Sequence, residues 1–278
     1  MRSSNGSGRN GNMRDITLGQ FVAGNSIIHK LDPRTKIGIM ILYIVMTFLV
    51  EHIYFLAIPL AYLVIELILS GISLRYILNA LKPIRFLLIL MFLLNLIFTK
   101  GTDVWLDLGF WQITGEAVLQ SCFLAIRIIL LVAGASMLTL TTSPLALTDG
   151  IERLLSPLKV LHFPVHELAM MMTIALRFIP TLMDESDKIR NAQMARGADF
   201  ESGNIFRRVK SMIPILIPLF VSSFRKADEL AIAMESRCYH GGEGRTRMHQ
   251  LKFRLADLIA CLITLLFIAA LIVLLVVF

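Results

Sequence analysis

Five stretches of this chain carry no charged side chain: Ile37–Val50, Ile53–Ile65, Phe86–Thr99, Ile128–Ser143 and Leu258–Phe278. Runs of that kind are too uniformly apolar to be one face of a soluble domain, and a bilayer is the solvent that suits them. Inside a bilayer the backbone has no water to bond, so each run must satisfy its own amides as a helix. Several runs fall short of the ~20 residues that a hydrocarbon core asks for, so flanking turns are needed to complete the spans. Hydrophobic residues make up 56% of the chain, charged residues only 17%, and mean hydropathy is +0.73, which excludes an ordinary soluble domain. The sequence predicts an all-α polytopic membrane protein with about five transmembrane helices and a cytoplasmic segment of amphipathic helices.

Charge placement orients the helices, because Lys and Arg near span ends are retained on the cytoplasmic side. Lys30, Arg34 and Lys36 precede the first run, and Arg75, Lys82 and Arg85 separate the second from the third. The alternate loops hold Glu51 and His52, then Asp103, Asp107 and Glu116 with Lys100 as their only Lys or Arg. Those loops face outward, with Trp105 and Trp111 at the outer interface. The N-terminus and residues 144–254 are then cytoplasmic, in the plasma membrane of a prokaryotic cell. Of 27 Lys and Arg residues, 16 fall in 144–254 against 12 acids, so the net charge of +7 describes an inner face beside anionic lipid and not a nucleic-acid binder. The expected organisation is a leader or disordered tail at 1–12 with Met13 as a plausible native start, four membrane helices within 13–143, a coupling region at 144–254 and a last membrane helix at 255–278. No cleavable signal peptide precedes position 37.

The polar segment contains a repeat. A 41-residue offset carries Ala195-Arg196-Gly197 onto Ser236-Arg237-Cys238, and Ile189 and Ala192 onto Leu230 and Ala233. Each unit is a greasy half followed by a charged half: Val165–Met183 and then Asp184–Met194, Met212–Phe224 and then Arg225–Glu235. Pro180, Pro214 and Pro218 interrupt the greasy halves, and Pro180 is expected to kink its helix. The plain reading of Arg196 is a helix C-cap, since Gly197 suits the left-handed position that follows. Cys238 lacks glycine's freedom there, so the second helix is expected to end differently. Two such endings in register are more than capping requires. Met170, Met171, Met172, Met183 and Met212 gather in the greasy halves, where unbranched thioethers serve either as core filler or as a surface that repacks against different partners.

Other chemistries find little support. The one glycine-rich stretch, Gly241-Gly242-Glu243-Gly244-Arg245, lacks the lysine and hydroxyl of a phosphate-binding loop. His162 and His166 have ligand-like spacing, but Pro164 between them spoils a common helical face, so no metal site is expected. Cys122, Cys238 and Cys261 are odd in number and scattered, which supports neither a disulfide framework nor a zinc knuckle. A membrane enzyme would have to draw on Glu66, Arg127 or Asp257, each expected near a span end where snorkelling or pairing accounts for it. Asp32 and Pro33 read as the cap and first turn of the first membrane helix, with Arg34 and Lys36 anchoring its cytoplasmic end.

Taken in order, Gly24-Asn25-Ser26-Ile27-Ile28-His29-Lys30-Leu31-Asp32-Pro33-Arg34-Thr35-Lys36, Leu140-Thr141-Thr142-Ser143-Pro144, Ala175-Leu176-Arg177-Phe178-Ile179-Pro180 and the two arginine triplets resemble the transmembrane T component (EcfT/CbiQ-like) of energy-coupling factor (ECF) transporters. The resemblance spans about Leu18 to Leu262. It implies a scaffold that is not itself an enzyme and binds no cofactor, with ATP and Mg on two cytosolic ABC ATPase subunits. It further implies that Ala195, Arg196, Gly197, Ser236, Arg237 and Cys238 dock on those ATPases, and that a separate membrane-embedded S component captures the substrate, a vitamin or other micronutrient. A T component dedicated to cobalt or nickel uptake is the nearest alternative, and a membrane enzyme the more distant one. The methionine cluster is the expected contact with the S component.

Overall fold

Asp32 opens the first helix, α1 (Pro33–Leu49), by accepting the Arg34 amide at 3.0 Å while Pro33 occupies the first turn, where its missing N–H costs nothing. The computed structural model describes residues 21–99, 104–107, 112–161, 164–200, 204–241 and 252–277. After a short 3₁₀ turn come α2 (Ala57–Ser70), closed by Gly71 at φ 68°, then α3 (Leu74–Leu81) and, through another 3₁₀ turn, α4 (Arg85–Phe98). Strands β1 (Val104–Asp107) and β2 (Gln112–Thr114) form an antiparallel hairpin that the sequence did not lead us to expect. The long α5 (Gly115–Thr141) follows, with Thr114 accepting the Ala117 amide as its cap. Then come α6 (Pro144–Leu155), capped by Ser143, a 3₁₀ turn over Ser156–Leu161, α7 (Val165–Ala195), α8 (Ile205–Glu235) and α9 (Leu255–Val277).

Among the described residues five segments are long and apolar enough to cross a membrane: Ile53–Ser70, Leu74–Phe98, Gly115–Thr141, Val165–Ala195 and Leu255–Val277. Four of the five expected runs lie in these. The first lies in α1, whose 17 residues are only ~26 Å long. It packs against α2, α5, α6 and α9 through one side, burying Tyr43 and Met46, while Ile41, Val45 and Phe48 stay exposed on the other. The remaining segment is α7, at 31 residues the longest of these, and its charged second half distinguishes it from the rest.

The core is stitched around Tyr43. Its ring lies so close to Gly134 of α5 that a Cβ there would meet Cε1 at 2.2 Å, so only glycine fits. Its hydroxyl donates to the Leu130 carbonyl at 3.2 Å, and its ring sits 5.6 Å from that of Tyr62 on α2. Tyr62 in turn shares a 3.0 Å hydrogen bond with Thr264 and an edge-to-face contact with Phe267, both on α9. A buried hydroxyl must find a partner where no water reaches, and here each tyrosine finds one on another helix.

The charged residues behave differently from simple interface anchors. Lys36 is buried, not snorkelled toward headgroups: its ammonium donates to the carbonyls of His29 (3.2 Å) and Thr141 (2.9 Å). Asp257, 2% exposed near the start of α9, accepts the backbone amides of Asp32 and Arg254, each at 2.7 Å, and so ties α9 to the start of α1. Arg127 stands well inside α5 instead of near its end. Its guanidinium donates to the Val50 carbonyl at the C-terminus of α1 and lies 4.3 Å over the Phe123 ring. Pro180, Pro214 and Pro218 do not end their helices; α7 and α8 each run 31 residues through them.

Residues 1–20, Lys100, Asp103, Trp111, His162, Glu201 and Gly242–Arg245 lie outside the described residues, as does the side chain of Trp105.

Candidate docking surface

The C-terminus of α7 is built by backbone hydrogen bonds. With Arg196 as the cap residue, the Gly197 amide bonds the Met194 carbonyl at 3.0 Å and the Ala198 amide reaches back to the Gln193 carbonyl at 3.0 Å. Gly197 takes φ 87° to allow this pair of bonds, the Schellman arrangement. At the end of α8 the same bonds recur one repeat later: Cys238 amide to Glu235 carbonyl at 2.9 Å, Tyr239 amide to Met234 carbonyl at 3.0 Å. Cys238 takes φ 57° to make them, the sole non-glycine residue with positive φ among the described residues. The expectation that the second helix ends differently is therefore corrected. Satisfying two orphan carbonyls offsets the ~1–2 kcal/mol that a Cβ costs in the left-handed region.

Both caps leave their arginine in the open. Arg196 and Arg237 are exposed, as are Ala195, Gly197, Ser236 and Cys238, and neither guanidinium has a hydrogen-bond or ion-pair partner among the described residues. Two planar five-donor forks thus stand at two helix ends, ready for a carboxylate outside the chain.

Behind the tips the helices touch. Ile174, Phe178 and Leu182 of α7 line a shared apolar groove with Ala227, Leu230 and Met234 of α8. Beside it the Glu185 carboxylate receives hydrogen bonds from the Lys226 ammonium and the Ser222 hydroxyl. Sequence reasoning passed over this trio, although the repeat offset applied to Glu185 lands on Lys226. On the membrane side α7 is held by α6, where His166 Nδ1 meets Glu152 Oε1 at 3.2 Å. α6 is pressed on α1 at Gly150, where a Cβ would come within 2.9 Å of Pro33. A continuous packed path therefore joins the Arg196 tip to the centre of the bundle.

The greasy halves are largely uncovered. Met171, Met172, Met183 and Met212 are exposed and Met170 is half-buried. On α8, Ile213, Leu216, Ile217, Phe220 and Phe224 repeat at helical spacing, all exposed, as a stripe ~16 Å long. The alternative enzyme residues are not brought together. Asp257 binds the start of α1 and Arg127 its end, ~26 Å apart by the length of that helix, while Glu66 lines a cavity with Lys36. Among the described residues no cluster of three or more His, Cys, Asp or Glu side chains could hold a metal.

Residues 24–249 match the CbiQ family, described as cobalt transport protein. The chain is 54% identical over 252 residues to the energy-coupling factor transporter transmembrane protein EcfT of Thermosediminibacter oceani, covering 91% of this chain and 95% of that one. Against the protein of the same name from Ruminiclostridium cellulolyticum it is 52% identical, covering 92% and 95%. Against that of Lactococcus lactis subsp. cremoris it is 46% identical, covering 88% and 92%. The chain belongs to the CbiQ/EcfT family. Like those EcfT proteins it is a multi-pass membrane protein, and both arginine tips fall inside the matched CbiQ region.

Proposed function

We propose that this chain is the energy-coupling transmembrane scaffold of an ECF-type importer, passing the ATP-driven motion of two cytosolic ABC ATPases to a membrane-embedded S component that carries a vitamin or other micronutrient. The observation that carries this reading is the pair of identically capped helices, each presenting one exposed arginine at the same repeat position. A guanidinium fork pairs a carboxylate bidentately, so an acidic pocket on each ATPase is the complement of each tip. ATP and Mg belong to those partners, and this chain supplies geometry and no catalytic group. Closure of the ATPases moves the tips, and the α7–α8 contact and the α6–α1 contact transmit that motion into the bundle. The uncovered stripe on α8 and the methionines of α7 form an adaptable apolar surface for the S component.

The family description favours a second reading, a scaffold dedicated to cobalt uptake. Purification of the chain from its native membrane, with co-purifying proteins identified, tests both. Two ATPases with vitamin-binding membrane proteins support the first reading, metal-binding membrane proteins support the second, and absence of any ATPase overturns both.

A further inference from the structure

Two cavities meet at the Lys/Arg-rich end of the bundle. One, about 500 Å³, is walled almost wholly by apolar side chains of α1, α2, α5 and α9, with Lys36 and Glu66 as its charged members. Its rim residues Leu69 on α2 and Ile259 and Ile263 on α9 are exposed, so it opens sideways toward the bilayer. The other, about 610 Å³, is polar and is lined by Lys30, Lys252 and Arg254, all exposed, together with Asp32 and Thr142. They share Leu31, Lys36 and Thr141 as a common boundary.

The polar cavity is a built site with bonds left to make. Thr142 and Asp32 are each only 5% exposed, yet Thr142 Oγ1 and Asp32 Oδ2 have no hydrogen-bond partner among the described residues. Orphaned polar atoms at such depth are costly unless something fills the space. Three cations around the same space favour an anion, and Asp32 Oδ2 asks in addition for a hydroxyl donor. Lys36 is committed to the His29 and Thr141 carbonyls and marks where polar lining gives way to apolar.

We infer that the paired cavities hold one anionic glycerophospholipid with a hydroxylated headgroup, of the phosphatidylglycerol type. Its phosphate sits among Lys30, Lys252 and Arg254, its headgroup hydroxyl serves Asp32 Oδ2 and Thr142 Oγ1, and one acyl chain enters the apolar cavity between α2 and α9. Basic pockets between membrane helices suit such headgroups generally, and here the adjoining cavity gives the chain a place as well. The bound lipid wedges the start of α9 against the start of α1, where Asp257 already joins them.

The test uses the full chain, purified in mild detergent and equilibrated with equal amounts of phosphatidylglycerol and phosphatidylcholine, with retained lipid counted by native mass spectrometry. Phosphatidylglycerol should be retained in about tenfold preference, one molecule per chain. The double substitution Lys252→Gln with Arg254→Gln should abolish that preference. Leu138→Trp, which fills the apolar cavity, should lower retention of either lipid. Glycerophosphoglycerol or inorganic phosphate in excess should displace little of the bound lipid. Equal retention of the two lipids by the unaltered chain, or full displacement by inorganic phosphate, would overturn the inference, the latter by showing a free-anion site. Because those two readouts use the unaltered chain, a variant that fails to fold leaves the test intact.

Discussion

Lys226 donates to the Glu185 carboxylate across the same 41-residue interval that separates Arg196 from Arg237. The two helices therefore meet at equivalent positions of the repeat. From that meeting point each tip lies eleven residues further on, an arm of ~16 Å in both cases. Equal arms from one crossing would present the two arginines at the same height to the two ATPases proposed above.

Arg196→Ala combined with Arg237→Ala should release the ATPases from the membrane complex or leave ATP hydrolysis running without uptake. Stranding a partly buried carboxylate on the partner costs about 2–5 kcal/mol at each tip. Co-purification and uptake in vesicles measure the two outcomes, and normal assembly with normal uptake would remove the assignment.

At the crossing, Glu185→Lys alone should set two cations against each other and separate the arms. Adding Lys226→Glu should restore the contact in mirror image. Spin-label distances between the two tips report this, widening in the single variant and returning in the double. An unchanged distance in the single variant would show that the apolar groove alone holds the crossing.

For the second cap, Cys238→Gly should keep ATPase binding and strengthen the last turn of α8 by about 1 kcal/mol, because glycine carries no Cβ into the left-handed region. Cys238→Val should fray that turn, since a branched Cβ suits it worse than cysteine does. Hydrogen exchange at the Cys238 and Tyr239 amides, protected by the bonds to Glu235 and Met234, reads both changes.

Asp257→Ala should lower the stability of the purified chain by about 2–3 kcal/mol, the scale of losing a buried charged acceptor that serves two amides. Thermal unfolding in detergent gives the shift. A change within experimental error would mean that water replaces the carboxylate at the α1–α9 junction.

Membrane orientation is checked with single cysteines in a cysteine-free background. A probe at Asp107 should react from outside the cell and one at Glu201 only after the inner face is opened. The reverse pattern would invert the topology.

Much of the bundle was legible because a hydrocarbon environment forbids charge over long runs, and 53–65, 86–99 and 258–278 obey that rule. The rule misled at α5, where Arg127 broke an otherwise continuous span of 27 residues. A guanidinium is tolerated there because the Val50 carbonyl and the Phe123 ring receive it, and both come from elsewhere in the fold or the helix turn. Lys36 was misplaced for the same reason: its carbonyl partners are 7 and 105 residues away, beyond the reach of any local pattern. The arginine tips were legible through the repeat, whereas the Schellman ending at Cys238 was hidden by the usual preference for glycine. Backbone bonds, and not the side chain, decide how that helix stops.

The α8 stripe from Ile213 to Phe224 has a further cost for the cell. A newly made copy that has not met its neighbours presents greasy side chains beside the charged end of the same helix, and detergent-free isolation of such a copy should yield clumps. Production of this subunit must consequently keep pace with that of whatever covers the stripe. A surplus copy would keep that stripe bare, so the shape of one helix face ties the useful amount of this subunit to the amount of what covers it.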